Sequence, residues 1–244
     1  MSNSVMMPII GYMHSPYREK FGIPRQPNLV QIESYIEMTE PYNDILAFEG
    51  IDGFSHLWLL WQFHENKQND RDLTQTAKFR AQVRPPRLGG NQKIGVFATR
   101  SMYRPSPIGL SVVRFLRVEK RGKTIRLYVT GSDLLHGTPI LDIKPYIHYS
   151  DAIETSISGY AQDEPSRKDV IWTQTAQLQQ QHLLNQTILH KKIFDELEQV
   201  LSLDPRPAYQ EDTERVYGMC FAHLNICFTV DENNVTVVSV EQST

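Results

Sequence analysis

Two arginines, Arg100 and Arg104, lie four residues apart in the stretch IGVFATRSMYRPSPIGL at residues 94–110. Guanidinium groups can bind carboxylates through a planar pair of N–H donors. Pro105 follows Arg104 directly, and proline disfavours helical backbone in the residue before it. The two side chains are therefore not expected to lie one turn apart on a common helix face. The stretch predicts two cations with separate roles on one stiff corner of the chain.

A basic segment surrounds this corner. Between Leu73 and Val118 the sequence has nine Lys or Arg residues and no Asp or Glu, and Arg84 and Arg87 flank a pair of prolines. The whole chain has a net charge of −3, which by itself argues against a nucleic-acid-binding protein. A local field attracts polyanions whatever the total charge. The segment therefore predicts a polyanion-binding surface, and a solvated basic face without a partner is the alternative.

Five polar loops, four of which contain proline or glycine, lie at the ends of predicted strands in the first 150 residues. Proline fixes the backbone and glycine frees it. Stiff loops present their donors without reordering when a ligand binds. Turn geometry at the corners of a barrel is the alternative explanation for any one of them, but five together favour a preorganised site. The loops span residues 23–27, 61–66, 83–91, 98–110 and 132–146.

The elements that must position these loops are predicted to be mainly strands. Residues 57–63 are apolar except for Gln62, and such a run is typical of a strand that is buried on both faces or that closes a barrel. Residues 110–131 predict a hairpin whose turn lies near Arg121 and Gly122. Strands that recur without helical periods between them indicate a barrel or a sandwich. We expect a small β-barrel over residues 1–151.

The remaining chain predicts a smaller α+β domain over residues 176–244, after a polar linker or loop at 152–175. Apolar residues at helical spacing between positions 188 and 201 predict an amphipathic helix, which Asp204-Pro205-Arg206-Pro207 ends. Two strands should follow, VYGMCFAHLNICFTV and VTVVSV. The predicted fold class is mainly β, with an N-terminal small β-barrel and a C-terminal α+β domain.

Several classes of protein and site are not expected. No apolar run approaches the roughly 18 residues of a membrane span, and the N-terminus lacks the pattern of a signal peptide. Cys220 and Cys227, seven apart on one predicted strand, should face opposite ways, which predicts no disulfide and fits a reducing cytoplasm. The eight histidines show no metal-ligand spacing, so no metal is expected. Phosphate-binding glycine loops and a nucleophile elbow are also missing.

The polar loops together resemble the TrmO family, also called TsaA-like or YaeB-like proteins. The resemblance covers residues 8 to about 151 and continues in DPRPAY at 204–209. It implies a β-barrel methyltransferase that depends on S-adenosylmethionine and modifies N6 of threonylcarbamoyl adenosine at position 37 of tRNA. It also implies a homodimer with the cofactor near the subunit interface. The stretches that carry it are, in order, GYMHSPYREKFGIPRQP, FEGIDGFSHLWLLWQFHE, VRPPRLGGN, GVFATRSMYRPSPIGLS and DLLHGTPILDIKPY.

The resemblance also implies which residues bind the cofactor. Arg100 or Arg25 is expected to take its carboxylate in a fork, and Glu65 or Asp133 is expected to accept from the ribose or offset the sulfonium charge. His136 stands where many family members have an aspartate. The full implied set is Pro24, Arg25, Gln26, His64, Glu65, Arg100, Leu110, Asp133, Leu134, Leu135 and His136.

Arg104 is the catalytic candidate because of its place beside Arg100, and the resemblance adds Asp204 and Tyr209, for which a helix stop with a buried tyrosine is the alternative. The basic segment predicts RNA binding by Arg84 and Arg87, and the resemblance adds Arg206. Arg104 is expected to contact RNA or the carbamoyl oxygen, where charge builds during the reaction. A phosphate contact alone is the alternative. Tyr209 can stack on a base. Two other functions stay open at this point, a non-catalytic RNA-binding barrel and a small-molecule methyltransferase.

Overall fold

A closed antiparallel sheet forms the N-terminal half of the protein in the computed structural model, which describes residues 5–65, 79–186, 190–207, 210 and 212–243. The strand order is β1-β2-β7-β6-β3-β8, and β8 pairs back onto β1 to close the barrel. The short β4 and β5 pair with each other outside it. The strands are β1 (Gly11–His14), β2 (Glu33–Met38), β3 (His56–Gln62), β4 (Gln82–Val83), β5 (Ile94–Gly95), β6 (Ile108–Arg121), β7 (Thr124–Thr130) and β8 (Pro139–Pro145).

The apolar run at residues 57–63 corresponds to β3, which lies between β6 and β8. Side chains alternate between the faces of a strand, so Leu57, Leu59 and Trp61 are buried inside the barrel. Trp58 and Leu60 point to the other face and are only partly buried. The run is therefore not buried on both faces. Its nearly continuous apolar character reflects an outer face that is itself half-covered.

The long β6 pairs with two neighbours and positions much of the site described below. Its first half pairs with β3 and its second half pairs with β7, with an irregularity between Phe115 and Arg117. Arg121 pairs with Thr124 across a turn in which Gly122 has a φ of +63°. The predicted hairpin turn near Arg121 and Gly122 is confirmed.

A four-stranded sheet with two longer helices forms the C-terminal half. The strand order is β10-β11-β12-β9, and β9 runs parallel to β12. The predicted amphipathic helix is present as α3, which buries Phe194, Leu197, Val200 and Leu201. The prediction of a mainly β chain is confirmed. The elements are α1 (His148–Asp151), β9 (Asp169–Trp172), α2 (Gln174–Asn185), α3 (Lys191–Leu201), β10 (Tyr217–Phe221), β11 (Leu224–Val230) and β12 (Asn234–Gln242).

Three features of this half differ from the sequence-based predictions. Residues 169–172, predicted to belong to a linker, form β9 because they add a parallel edge to β12. The run VYGMCFAHLNICFTV is two strands rather than one, since the chain reverses at Ala222, which has a φ of +53°. Cys220 and Cys227 consequently lie on different strands, and both are free.

One hydrophobic cluster joins the two halves, beside a separate core inside the barrel. Tyr17, Ile32 and Leu135 from the barrel half are buried in the same cluster as Phe194 and Phe221 from the C-terminal half. Backbone contacts continue the junction, since Tyr17 forms an isolated bridge with Phe221. The loops that follow β1 and β7 are therefore held between the barrel and the C-terminal sheet. Within the described ranges, none of the helices combines the length and apolar character needed to cross a membrane.

Candidate active site

A cavity of about 510 Å³ lies where several of the predicted polar loops meet. Its walls come from the loop after β1, the end of β3, residues 99–104, the start of β6 and the loop after β7. The structure therefore brings together segments that are far apart in the sequence. Of the predicted cofactor-binding residues, those that line the cavity are Pro24, Arg25, Gln26, His64, Arg100, Leu110, Asp133 and Leu135.

The charge of the cavity is strongly unbalanced. Lys20, Arg25, Arg100 and Arg104 all line it, whereas Asp133 is the one carboxyl among the described lining residues. Cations gathered around a small space bind anions through charge-assisted hydrogen bonds. The cavity can therefore hold a ligand, or a pair of ligands, with more than one negative group and a site for a positive group beside Asp133.

Hydrogen bonds to neighbouring loops orient three of these cations. Arg100 donates through Nη1 to Oε1 of Gln26 at 2.6 Å, which links residues 99–104 to the loop after β1. Arg25 donates through Nη2 to the backbone carbonyl of Arg206 at 3.1 Å. Lys20 donates to the backbone carbonyl of Glu65. Each bond uses one N–H and leaves further donors for a ligand.

Arg104 has different partners from Arg100. Its Nη1 donates to the carbonyl of Thr99 at 2.9 Å and to that of Val96 at 3.4 Å. Its guanidinium also lies 5.5 Å from the centre of the Phe97 ring. The Arg104 side chain therefore bonds within its own loop, whereas the Arg100 side chain bonds to Gln26 in the loop after β1. Separate roles for the two arginines stay a prediction, and their different surroundings are compatible with it.

Asp133 is held by a chain of two hydrogen bonds. The indole Nε1–H of Trp61 donates to Oγ of Ser111 at 3.0 Å, and the Ser111 hydroxyl donates to Oδ1 of Asp133 at 2.7 Å. Burial raises the pKa of Asp133 to about 6, against the opposing effects of the Ser111 hydrogen bond and the Arg100 charge. Such a group changes protonation state close to neutral pH.

Ser111 and Trp61 were not predicted as site residues from the sequence. A signal was present, because Gly109, Ser111 and Val113 occupy alternate positions that face the buried side of β6. A hydroxyl on such a face requires a partner. Gly109 is explained by Trp61, since a Cβ at position 109 would lie 2.2 Å from the indole ring.

Three predicted cofactor residues do not place their side chains in the cavity. Leu134 is buried in the barrel core. The His136 ring packs edge-on against His14 with centroids 4.9 Å apart, and its backbone N–H donates to the carbonyl of Tyr17. Glu65 contributes its backbone carbonyl to Lys20. The reason is strand and loop geometry, because Leu134 and His136 point away from the wall that Asp133 and Leu135 form.

Asp204 and Arg206 form a structural ion pair outside the cavity wall. Nε of Arg206 donates to Oδ1 of Asp204 at 3.0 Å, and Nζ of Lys168 lies 3.9 Å from Oδ2. Arg206 also donates to the carbonyl of Val230. Both side chains are largely buried. Each side chain neutralises the charge of the other. The predicted roles of Asp204 as a catalytic group and Arg206 as an RNA contact stay predictions. Tyr209 lies outside the described residues.

Arg84 and Arg87, the two arginines predicted from the basic segment to bind RNA, are exposed. Arg84 and Arg87 flank Pro85 and Pro86, and residues 86–88 form a short 3-10 turn. Neither arginine has a hydrogen bond or ion pair with any part of the chain that the structure describes. Both are therefore available to an external anion. Across the same described ranges, no group of His, Cys, Asp or Glu side chains is arranged to hold a metal ion.

Sequence families match the chain over both halves. Residues 12–152 match the tRNA-methyltransferase O N-terminal domain, and residues 165–243 match the TrmO C-terminal domain. The first range contains the barrel and the cavity loops, and the second contains β9 to β12. The chain thus carries both parts of one family in their family order.

Individual proteins give the same result. The chain is 37% identical over 235 residues to the tRNA (adenine(37)-N6)-methyltransferase of Escherichia coli, which covers 95% of this chain and 96% of that one. It is 42% identical over 219 residues to a putative S-adenosylmethionine-dependent methyltransferase of Pseudomonas aeruginosa, covering 89% of each. The crystal structure of TrmO from Pseudomonas aeruginosa superposes with a TM-score of 0.75 at 33% identity and 98% coverage of both chains. The chain belongs to the TrmO family.

Proposed function

We propose that this protein transfers a methyl group from S-adenosylmethionine to N6 of adenosine 37 in tRNA, and that this adenosine carries a threonylcarbamoyl group. The observation that carries the proposal is the cavity in which four cations surround one carboxyl. The names of the relatives, which include adenine(37)-N6 methyltransferases, support the reaction and the tRNA substrate.

The residues of the cavity fit S-adenosylmethionine. Arg100 and Arg25 offer N–H pairs for its carboxylate, and Asp133 offers a negative charge near its positive sulfur. Leu110 and Phe63 provide apolar surface for its adenine ring. When bound, S-adenosylmethionine supplies a methyl group activated by its sulfonium charge.

The excess of cations supports a modified acceptor. S-adenosylmethionine has one carboxylate, whereas Lys20, Arg25, Arg100 and Arg104 carry four positive charges. In threonylcarbamoyl adenosine, the group attached to N6 adds a second carboxylate and a carbamoyl oxygen. An unmodified adenosine has neither group. The cavity therefore matches the modified base better than the plain one, and Arg104 is the cation we assign to the carbamoyl oxygen or the adjacent RNA.

Alignment is the main contribution that the chain makes to this reaction. Displacement at a methyl carbon requires the acceptor nitrogen, the carbon and the leaving sulfur to lie in line. The bonds from Arg100 to Gln26 and from Arg104 to Thr99 fix the side chains that would orient the two substrates. Because these groups are already in place, little order has to be created on binding.

We infer that the functional form is a homodimer in the cytoplasm. Trp58 on the outer face of β3 is only partly buried, and Phe97, Tyr149, Ile153 and Ile157 are exposed apolar side chains. Exposed apolar groups of this kind are common at subunit interfaces. Light scattering at micromolar concentration should report twice the monomer mass, and a monomer mass alone would contradict the inference.

The central test is the identity of the methylated nucleoside. The protein is incubated with labelled S-adenosylmethionine and tRNA, the tRNA is digested, and the nucleosides are separated by mass spectrometry. We expect one added methyl group on threonylcarbamoyl adenosine, and no methylation of matched tRNA that lacks the threonylcarbamoyl group. Label on the unmodified adenosine would contradict the proposed acceptor.

Two controls separate the other candidate functions. Calorimetry with S-adenosylmethionine distinguishes an enzyme from a non-catalytic RNA-binding barrel, which would show no heat of binding. Labelling of free nucleosides or small amines distinguishes a small-molecule methyltransferase. The Arg100→Ala variant should weaken cofactor binding and reduce tRNA labelling at limiting cofactor, which links the activity to the cavity.

A further inference from the structure

While Asp133 is ionised, the hydrogen-bond chain from Trp61 through Ser111 to Asp133 has only one possible direction. An indole N–H can donate but cannot accept, so Oγ of Ser111 accepts from Trp61 at 3.0 Å. The serine hydroxyl has a single hydrogen, which is then given to Oδ1 of Asp133 at 2.7 Å. Ser111 and Trp61 are both buried. Oδ2 is left as the oxygen that a ligand in the cavity can use.

We propose that Ser111 is a positioning residue which, backed by Trp61, holds Asp133 as an oriented carboxylate, and that Asp133 takes the proton that leaves the acceptor nitrogen. The inference rests on the proposed function, since the nitrogen in question is N6 of the modified adenosine. Asp133 is suited to this role because it is the one carboxyl among the described residues that line the cavity.

The chemistry of the acceptor creates the need for such a group. The N6 atom carries a carbonyl, so its lone pair is delocalised and it is a weak nucleophile while it keeps its proton. In the proposed step the nitrogen forms a bond to the methyl carbon as the carbon–sulfur bond breaks, and the sulfur keeps that electron pair. The N–H electrons stay on nitrogen while the proton moves to Oδ2 of Asp133. The positive charge of the donor and the negative charge of the carboxylate disappear together.

Several charged or titratable groups lie around Asp133. Arg100, from residues 99–104, stabilises the carboxylate by its charge. Tyr17, from the loop after β1, is buried with a raised pKa and stays neutral. His64, after β3, is the one imidazole among the described lining residues. The remaining charged groups of the cavity are Lys20, Arg25 and Arg104.

The first test detects the hydrogen-bond chain from Trp61 through Ser111 to Asp133, called the relay from here on, in the free protein. The chain has three tryptophans, and the other two indole N–H groups donate directly to Asp151 and Glu198. In a ¹⁵N–¹H spectrum, the Trp61 indole signal, assigned with Trp61→Phe, should titrate with a midpoint at about pH 6. Asp133→Asn should abolish that titration. Ser111→Ala should shift the signal strongly, because the indole loses its acceptor, and the Trp58 signal serves as the internal control.

The second test observes proton transfer as a pH profile. Single-turnover methylation by the unaltered protein should rise about tenfold per pH unit at acid pH and level off above about pH 6. Ser111→Ala removes a donor to the carboxylate, so the midpoint should move upward by about one pH unit. Ser111→Thr keeps the hydroxyl and should restore the original midpoint. Asp133→Asn should lose most of the rate, and the rate that remains should no longer fall at acid pH.

The outcomes separate the two proposals. If the unaltered protein methylates threonylcarbamoyl adenosine and Ser111→Ala leaves the pH profile unchanged, the positioning role of Ser111 is wrong. If Asp133→Asn keeps both rate and profile while His64→Gln loses them, the proton acceptor is His64. If no methyl transfer occurs with any tRNA, the proposed function fails and the proton-accepting role fails with it. In that case the indole titration still decides whether the relay exists.

Discussion

The guanidinium of Arg25 lies 3.1 Å from the backbone carbonyl oxygen of Arg206, to which it donates a hydrogen bond. Arg25 lines the cavity, whereas Arg206 belongs to the turn that precedes the C-terminal hairpin. The Asp204 carboxylate holds that turn by pairing with Arg206 and Lys168. A cavity residue in the barrel half is thus fixed by a turn in the other half.

Asp204→Asn should loosen this turn without removing a group from the cavity. The substitution leaves the partly buried Arg206 without its ionic partner, so stability should fall by about 1–2 kcal/mol. Affinity for S-adenosylmethionine should fall a few-fold through Arg25. Denaturant unfolding and calorimetry measure the two effects, with Glu241→Gln at the exposed end of β12 as the control. Loss of methylation at unchanged stability and affinity would return Asp204 to a direct catalytic role.

Arg100→Ala and Arg104→Ala should affect different quantities. Arg100→Ala should weaken cofactor binding by about 1.5–3 kcal/mol, the range for a hydrogen bond to a charged group. Arg104→Ala should leave that affinity within a few-fold but reduce single-turnover methylation sharply. Arg104→Lys keeps the charge without the planar pair of donors and should rescue little. An equal loss of cofactor affinity in both alanine variants would show that the two arginines form one clamp.

Arg84→Ala and Arg87→Ala should weaken tRNA binding and leave cofactor affinity nearly unchanged. Each arginine is exposed and has no partner in the described chain, so each can neutralise one phosphate. Loss of one phosphate contact should reduce the slope of log affinity against log salt by roughly one. Binding is measured at several salt concentrations, with Lys120→Ala near the tip of the β6–β7 hairpin as the matched control. Normal tRNA binding with weakened cofactor binding would assign these arginines to the cavity instead.

Asp133→Asn should stabilise the fold in a pH-dependent way. Burial raises the pKa of Asp133 from 3.8 to about 6 in the folded protein. The folded protein therefore binds the Asp133 proton more tightly than the unfolded chain does. The resulting stabilisation is fully present below about pH 4 and is lost as the pH rises through about 6. Asparagine never ionises and still accepts from Ser111. The variant should gain roughly 1–3 kcal/mol over the original protein at pH 7 and almost nothing at pH 4.

Chemical denaturation of both proteins at several pH values measures this difference. A gain that is the same at pH 4 and pH 7 would show that it comes from packing rather than from ionisation. The Ser34→Ala variant provides a control, because Ser34 is a buried hydroxyl with no titration of its own.

Much of the fold was predictable because it depends on local patterns. The strand at β3, the glycine turn between β6 and β7, and the apolar face of α3 are each indicated by neighbouring residues. The alternation of buried and half-covered side chains along β3 was not predicted, because both sets are apolar. The four residues of β9 gave no comparable signal, since a short edge strand is defined by its partner β12. The helix α2 was not predicted because it is rich in glutamine and buries only Ala176 and Leu183.

The site was predictable in its loops but not in its connections. The resemblance pointed to residues that do line the cavity, such as Arg100 and Asp133. It did not show that Asp204 is paired with Arg206, because that pair depends on where the turn lies against β11. The alternation of Gly109, Ser111 and Val113 indicates that the Ser111 hydroxyl is buried but does not indicate its partners. Only the three-dimensional structure places Ser111 between an indole and a carboxyl.

The close approach of Trp61 to Gly109 constrains how this region can diverge. A methyl group at position 109 would overlap the indole ring, so any larger residue there requires a smaller one at position 61. That exchange would remove the donor behind Ser111. The two positions should consequently change together across homologous sequences, and a chain that has lost the pair should also have lost the serine. Coupled substitution at positions 61, 109 and 111 would therefore indicate, from sequences alone, that the hydrogen-bond chain is kept or lost as a unit.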